Sequence, residues 1–182
     1  MTVRPLMPRQ AVPALDLPLL AGGRFVLGEA PPASFDLLVF YRGLHCPLCA
    51  RYLAELERLS PEFAKRGVRL TAISADAADR ARAMADKIGA SGLQVAHGLD
   101  MPSARAWGLY ISTSRGQTSL GIEEPPLFAE PAVYLVRPDG TLYYGAVQTM
   151  PFARPAFNDL LAAIDFALEK HYPARGEYTG PV

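Results

Sequence analysis

Residues 37–49 read LLVFYRGLHCPLC, an apolar run that leads directly into the only two cysteines of the chain. The first five residues show no alternation of polar and apolar side chains, which predicts a strand buried on both faces of a sheet. From Pro47 to Leu59 the large apolar residues recur at helical spacing, which predicts an amphipathic helix. Cys46 therefore lies at the start of that helix, with Pro47 at the first helical position, where a missing N–H costs nothing.

This position makes Cys46 a candidate nucleophile. Unpaired backbone N–H groups and the positive end of the helix dipole would surround its sulfur and stabilise the reactive thiolate. Cys49 lies one turn further along the same face, within reach for a disulfide. Inert buried thiols are the alternative, but a helix start is a poor place for them. A metal site would need about two further ligands that no motif supplies, so we expect no metal.

Composition predicts one globular domain over residues 1–182, with its core at about 13–171 and a loose tail after 173. The formal net charge is zero and no basic block appears, so we expect no nucleic-acid partner. No run approaches the roughly 20 apolar residues of a membrane span, so we expect no membrane contact. The proline-broken first ten residues lack the apolar stretch of a signal peptide. We therefore expect a cytoplasmic protein, a setting in which paired cysteines are usually catalytic or sensing.

The predicted elements alternate between strands and helices and end with a hairpin and a helix. The cysteine helix is predicted to kink or restart at Ser60-Pro61 and to end at Gly67. Segment 111–130, with two glycines and a Pro-Pro pair, lacks periodicity and is predicted to be irregular. The other elements are strands at 24–27, 68–73, 93–96, 132–136 and 141–144 and helices at 77–88, 102–107 and 157–168. This order predicts an α/β sandwich with a mixed sheet.

Three stretches of the chain resemble peroxiredoxin-like proteins of the alkyl hydroperoxide reductase and thiol-specific antioxidant (AhpC/TSA) family, in the thioredoxin superfamily. They are FYRGLHCPLC at 40–49, PAVYLVRPDG at 131–140 and GGRF at 22–25. The resemblance implies a thioredoxin-like, peroxiredoxin-type sandwich with a mixed central sheet flanked by helices. It also implies that Cys46 attacks the substrate, that Cys49 resolves the product to an intramolecular disulfide, and that no cofactor takes part.

The chain departs from the family pattern at two positions. Gly43 stands where typical peroxiredoxins carry Thr or Ser, and Pro131 takes the place of the peroxide-orienting Arg. Loss of these hydrogen-bond donors weakens the peroxidase interpretation, because donors stabilise the breaking O–O bond. Pro131 instead resembles the cis-proline of thioredoxin-like proteins, which raises the expectation of a cis Glu130–Pro131 bond above its usual ~5%.

Two further residues beside the cysteines are candidate supporting residues. As an imidazolium, His45 would lower the pKa of Cys46, and it would otherwise shuttle a proton or serve as a polar loop residue. Arg42 would hold the thiolate or a substrate oxygen, or it is an ordinary surface arginine.

Three functions follow from these features. The first is a thiol-dependent oxidoreductase that reduces peroxide-type substrates. The second is a thioredoxin-like thiol–disulfide oxidoreductase, and the third is an interaction module that kept the fold without the reaction. For either enzyme we expect a thiol reductant such as a thioredoxin, glutaredoxin or glutathione system, and the resemblance makes a homodimer a further expectation.

Overall fold

The computed structural model describes residues 4–182. The signal-peptide prediction concerned the first ten residues, of which the first three lie outside the described residues. The elements are β1 (Asp16–Pro18), β2 (Arg24–Val26), β3 (Phe35–Phe40), α1 (Pro47–Lys65), β4 (Val68–Ile73), α2 (Ala78–Ile88), β5 (Gln94–Ala96), α3 (Met101–Ala106), β6 (Ile111–Thr113), β7 (Leu127–Ala129), β8 (Ala132–Val136), β9 (Leu142–Val147) and α4 (Phe157–Glu169). Within residues 4–182, no helix is long and apolar enough to span a bilayer.

A five-stranded mixed sheet in the order β5-β4-β3-β8-β9 forms the centre of the molecule. Strand β3 pairs in parallel with β4 and antiparallel with β8. All six residues of β3 are buried, as the unbroken apolar run predicts. Its residues Leu37 and Val39 pack among residues of α1 and α4, whereas Leu38 and Phe40 pack with α3 on the other face. The expected sandwich with helices on a mixed central sheet is confirmed.

Helix α1 continues through Pro61, so the predicted restart at Ser60-Pro61 is wrong. Proline removes one backbone donor, and the side chain of Pro61 is exposed at the helix surface. Leu59 and Phe63, on either side of it, are buried in the core. Their packing keeps the helix in register across the proline.

Segment 111–130 is more ordered than its sequence predicts. Strands β6 and β7 pair antiparallel, with Ser112 opposite Phe128. Each strand has only three residues, which is too short to produce a recognisable alternation. The prediction of an irregular segment is therefore wrong at both ends of this stretch.

Candidate active site

Cys46 is the N-cap residue of α1, and its sulfur accepts a hydrogen bond from the helix backbone. The backbone of Cys46 is extended (φ −100°, ψ 103°), which turns the side chain back over the first turn of the helix. Its Sγ lies 3.2 Å from the backbone nitrogen of Cys49. Both residues are almost fully covered, with 2% of Cys46 and 0% of Cys49 exposed. One backbone N–H of the first helical turn is thus directed at a sulfur atom that is screened from water.

The two thiols differ sharply in acidity. A hydrogen bond from the Cys49 thiol, aided by the Cys49 backbone N–H and by the charges of Arg154 and Arg42, lowers the pKa of Cys46 from 9.0 to about 6 against the opposing effect of burial. Burial first, and then hydrogen bonding to Cys46, raises the pKa of Cys49. At neutral pH the pair therefore holds a thiolate at Cys46 and a thiol at Cys49.

Arg154 completes the site, and the sequence analysis missed it. It lies between β9 and α4, and its Nη2 is 3.1 Å from Cys49 Sγ and 3.9 Å from Cys46 Sγ. Its Nε donates to the Pro151 carbonyl at 2.6 Å, and its guanidinium lies 5.0 Å from the ring centre of Tyr52. Nη1 of Arg154 is buried and has no hydrogen-bond partner within residues 4–182. The site thus contains an unused donor beside both sulfur atoms.

Tyr52 holds the segment that carries Arg154 against α1. Its hydroxyl donates to the Pro155 carbonyl at 2.6 Å, and its ring stacks on Phe157 at 4.2 Å. The segment between β9 and α4 is thereby fixed over the helix N-terminus. No local pattern marks Arg154 in the sequence, because the contact joins residues 105 positions apart.

Gly43 has no room for a side chain, because the Asp76 carboxylate fills the space beside it. A Cβ atom at Gly43 would lie 2.8 Å from Asp76 Oδ1, and its φ of +130° disfavours any other residue. Asp76 Oδ2 accepts the Leu44 backbone N–H at 2.8 Å, and Oδ1 accepts Arg80 Nε at 3.1 Å. Burial raises the pKa of Asp76. The threonine found here in typical peroxiredoxins would not fit this loop.

Arg42 is bound to two buried carboxylates. Its Nη2 lies 3.2 Å from Glu124 Oε1 and its Nε 3.5 Å from Glu130 Oε2, while its guanidinium covers the Phe128 ring at 4.6 Å. Arg42 lowers the pKa of Cys46 through its charge, although several other contributions are larger. It therefore acts on the thiolate from a distance, and Arg154 is the arginine in contact with the sulfur atoms.

His45 is a neutral core residue. It is 0% exposed, and its ring lies 4.8 Å from that of Phe128. Burial, reinforced by the charge of Arg42, lowers the pKa of His45 from 6.5 to about 4. An imidazolium at neutral pH is therefore contradicted, whereas His45 does lie in the loop before α1, buried there instead of facing solvent.

The Glu130–Pro131 bond is trans, so the expectation of a cis-proline is wrong. The Glu130 backbone N–H donates to Tyr110 at 2.8 Å, and the Pro131 carbonyl accepts from Gln148 at 2.9 Å. These bonds carry the extended chain from β7 directly into β8. The likeness to the thioredoxin proline is therefore limited to residue type and does not extend to backbone conformation.

Comparison with known proteins assigns the chain to a family. The sequence pattern of the AhpC/TSA family matches residues 8–145, which is well over half of the chain. The chain belongs to the AhpC/TSA family. Together with the acidic Cys46 thiol, this membership makes the protein a thiol-based oxidoreductase. Among curated proteins, no significant match was found.

Solved peroxiredoxin structures share the fold of this AhpC/TSA protein. Peroxiredoxin 6 of Arenicola marina is 18% identical with a TM-score of 0.72, over 91% of this chain and 75% of that one. AhpC of Mycobacterium tuberculosis is 14% identical with a TM-score of 0.71, over 91% and 99%. A reduced 2-Cys peroxiredoxin of Plasmodium vivax is 17% identical with a TM-score of 0.72, over 92% and 84%. At these identities the similarity establishes the thioredoxin-like fold.

A cleft of about 310 Å³ opens beside the thiol pair of this AhpC/TSA protein. One wall is the exposed side of the first turns of α1, and the other is the segment that carries Arg154. In the described part of the chain, no group of three or more His, Cys, Asp or Glu side chains is arranged to hold a metal ion.

Proposed function

We propose that the protein reduces peroxides with Cys46 as the nucleophile and Cys49 as the resolving thiol. The observation that carries this proposal is the Cys46 sulfur at the helix N-terminus, where a backbone N–H at 3.2 Å and Arg154 at 3.9 Å favour the thiolate. The thiolate attacks one peroxide oxygen, the O–O bond breaks, and the other oxygen leaves as an alkoxide or hydroxide that takes up a proton. Cys46 becomes a sulfenic acid.

Cys49 completes the oxidative half of the cycle. Its thiol attacks the sulfenic sulfur, an S–S bond forms, and the hydroxyl group leaves as water with the thiol proton. Both cysteines lie in the same turn of α1, so this step needs no movement of a distant segment. A thiol reductant then supplies two electrons to restore the pair.

Arg154 supports the peroxidase assignment, because it replaces hydrogen-bond donors that typical peroxiredoxins have and this chain lacks. Its Nη1 is buried without a partner in the described residues. In the proposed mechanism this group donates to the peroxide oxygen that becomes negatively charged. Fixed donors of this kind stabilise the transition state because they need no reorganisation during reaction. The absence of Thr at position 43 and of Arg at position 131 is thereby compensated from another part of the chain.

The two alternative functions are less well supported. The trans Glu130–Pro131 bond removes the backbone likeness to a thioredoxin site, and the 2% exposure of Cys46 restricts attack on protein disulfides. The lowered pKa of Cys46 argues against a redox-inactive module. Further parts of the proposal are a thioredoxin, glutaredoxin or glutathione system as reductant, a homodimeric state and a cytoplasmic location, the last supported by the confinement of both cysteines to one motif.

Rapid mixing of the reduced protein with hydrogen peroxide tests this function. The reaction is quenched with an alkylating agent at intervals, and the fractions of thiol, sulfenic acid and disulfide are measured by intact mass. We expect oxidation of Cys46 to be orders of magnitude faster than that of free cysteine under the same conditions. A rate equal to that of free cysteine would exclude the peroxidase function, and Cys46→Ser provides the blank.

A further inference from the structure

The cleft beside the thiol pair contains an arginine and a glutamate that are both available to a ligand. Arg51 and Glu55 line it from successive turns of α1, and neither forms an ion pair with any residue from 4 to 182. On the same helix, Glu62 and Arg66 have the same spacing and are paired at 3.2 Å. The order Arg-then-Glu is the less favourable one for pairing within a helix, which leaves both charges free.

The other residues that line the cleft are mostly apolar and suit the short aliphatic chain of a ligand. Pro151, Phe152 and Pro155 form the wall opposite α1, and Phe152 is 71% exposed although it is a large apolar residue. Arg154 also lines the cleft, and its Nη2 lies 3.1 Å from Cys49 Sγ. The cleft thus combines two unpaired opposite charges and an apolar wall with an arginine that contacts a sulfur atom of the pair.

We propose that this cleft binds the reductant, and that the reductant is a small thiol carrying both a carboxylate and an ammonium group, as an amino-acid or short-peptide thiol does. Arg51 would pair with the carboxylate and Glu55 with the ammonium group. This proposal rests on the proposed function, because it assigns the reductant for the second half of the same catalytic cycle. A volume of about 310 Å³ lies at the small end of ligand sites, as expected for such a molecule.

Burial of the thiols favours a small molecule over a protein reductant. Cys46 and Cys49 are 2% and 0% exposed, and Arg154, from the segment between β9 and α4, lies against both sulfur atoms. A cysteine on the surface of a protein would have to bring its backbone under that segment. A free thiol reaches the same point with its side chain alone.

The reductive chemistry balances with two molecules of thiol. The first thiolate attacks Cys49 Sγ, the S–S bond breaks, and Cys46 leaves as a thiolate, the better leaving group of the two. The second thiolate attacks the ligand sulfur of the mixed disulfide and releases Cys49, which takes up a proton. The products are the ligand disulfide and the reduced protein.

The test uses protein whose disulfide has been formed with diamide, so that it does not depend on reaction with peroxide. Reduction rates are measured with cysteine, 3-mercaptopropionate, cysteamine and 2-mercaptoethanol, each corrected for its thiolate concentration. We expect cysteine to be the fastest and its rate to saturate. In Arg51→Gln we expect the ratio of the cysteine rate to the 2-mercaptoethanol rate to fall about three- to fivefold, because one exposed ion pair with the ligand carboxylate is lost.

Arg58→Gln is the matched control, because Arg58 is an exposed arginine of α1 outside the cleft. The same ratio should be unchanged in that variant, and it should fall in Glu55→Gln. The proposal would be overturned if the corrected rates were equal for all four thiols, or if Arg51→Gln and Arg58→Gln had equal effects. It would also be overturned if a thioredoxin reduced the protein faster than the small thiols do and Arg51→Gln did not alter that rate. Charge-selective reduction in a protein inert to peroxide would reject only the proposed function.

Discussion

Arg154 Nη2 lies 3.1 Å from Cys49 Sγ, although 105 residues separate the two in the chain. The same nitrogen is 3.9 Å from Cys46 Sγ, so one guanidinium group contacts both sulfur atoms of the pair. The segment that supplies this charge also covers the site. This stretch of chain therefore contributes to the acidity of the nucleophile, in addition to the hydrogen bonds from Cys49.

Substitution of Arg154 tests this relationship. Arg154→Gln should raise the pKa of Cys46 and slow its oxidation by peroxide about tenfold to 100-fold, because a charged donor is lost from a buried site. Arg154→Lys keeps the charge without the planar fork and should recover part of the loss. The pKa is measured from thiolate absorbance at 240 nm and the rate by rapid mixing. A Cys46 pKa and an oxidation rate that are both unchanged in Arg154→Gln would contradict this role for Arg154.

The pH dependence of oxidation should report the acidity of Cys46. Its pKa of about 6 predicts a rate that rises through pH 6 and is level above pH 7, whereas an ordinary thiol would still be gaining reactivity at pH 8. Because the folded state lowers this pKa, the thiolate stabilises the fold fully above pH 9 and loses that contribution as the pH falls to 6. A rate that rises continuously to pH 9 would contradict the assignment.

The two cysteines should fail in different ways when replaced. Cys46→Ser should abolish oxidation by peroxide, since the nucleophile is gone. Cys49→Ser should leave the first oxidation intact and accumulate sulfenic acid at Cys46, which a dimedone adduct detects by mass. If both variants are equally inert to peroxide, the division of roles is wrong.

Gly43 should be intolerant of any side chain. Gly43→Ala places a methyl group 2.8 Å from Asp76 Oδ1 at a φ of +130°, and it should lower the free energy of unfolding by about 2 kcal/mol or more. Gly116→Ala is the matched control, since Gly116 also has a positive φ but nothing within 4 Å of its Cβ position. Urea unfolding of both variants isolates the contact with Asp76. Equal losses would show that backbone strain alone explains the glycine.

The buried His45 should make the fold sensitive to acid. Its folded pKa of about 4 lies below the unfolded value of 6.5, so the unfolded state gains a proton first, and stability falls as the pH drops from 6.5 to 4. Between pH 7 and 4.5 the wild type should lose about 2 kcal/mol more than His45→Leu. Urea unfolding at the two pH values measures this difference, and His171→Gln, at an exposed histidine, should behave as the wild type does.

Secondary-structure elements that depend on a regular pattern of neighbouring residues could be predicted from the sequence. The apolar run of β3 and the helical spacing after Cys46 were sufficient to place the cysteine pair at a helix start, because each pattern is set by neighbouring residues. Strands β6 and β7 have three residues each and are joined by an irregular connection, so no periodicity identifies them.

Contacts between distant residues could not be predicted. The space beside Gly43 is decided by Asp76, 33 positions later, and the charge at the sulfur atoms comes from Arg154. The burial of His45 depends on Phe128, a residue of β7 that is distant in sequence and packs against the His45 ring. In each case the residue type was visible, but its partner was set by the way the sheet and loops fold together.

The position of both cysteines in one helical turn also sets how the protein responds to excess oxidant. A second peroxide molecule can oxidise the sulfenic acid further only if it arrives before the adjacent Cys49 thiol reacts. That competition is between a diffusing molecule and a neighbour already in place, so its outcome depends little on protein concentration. Inactivation at high peroxide should therefore be rare per turnover, and the enzyme should survive bursts of oxidant intact.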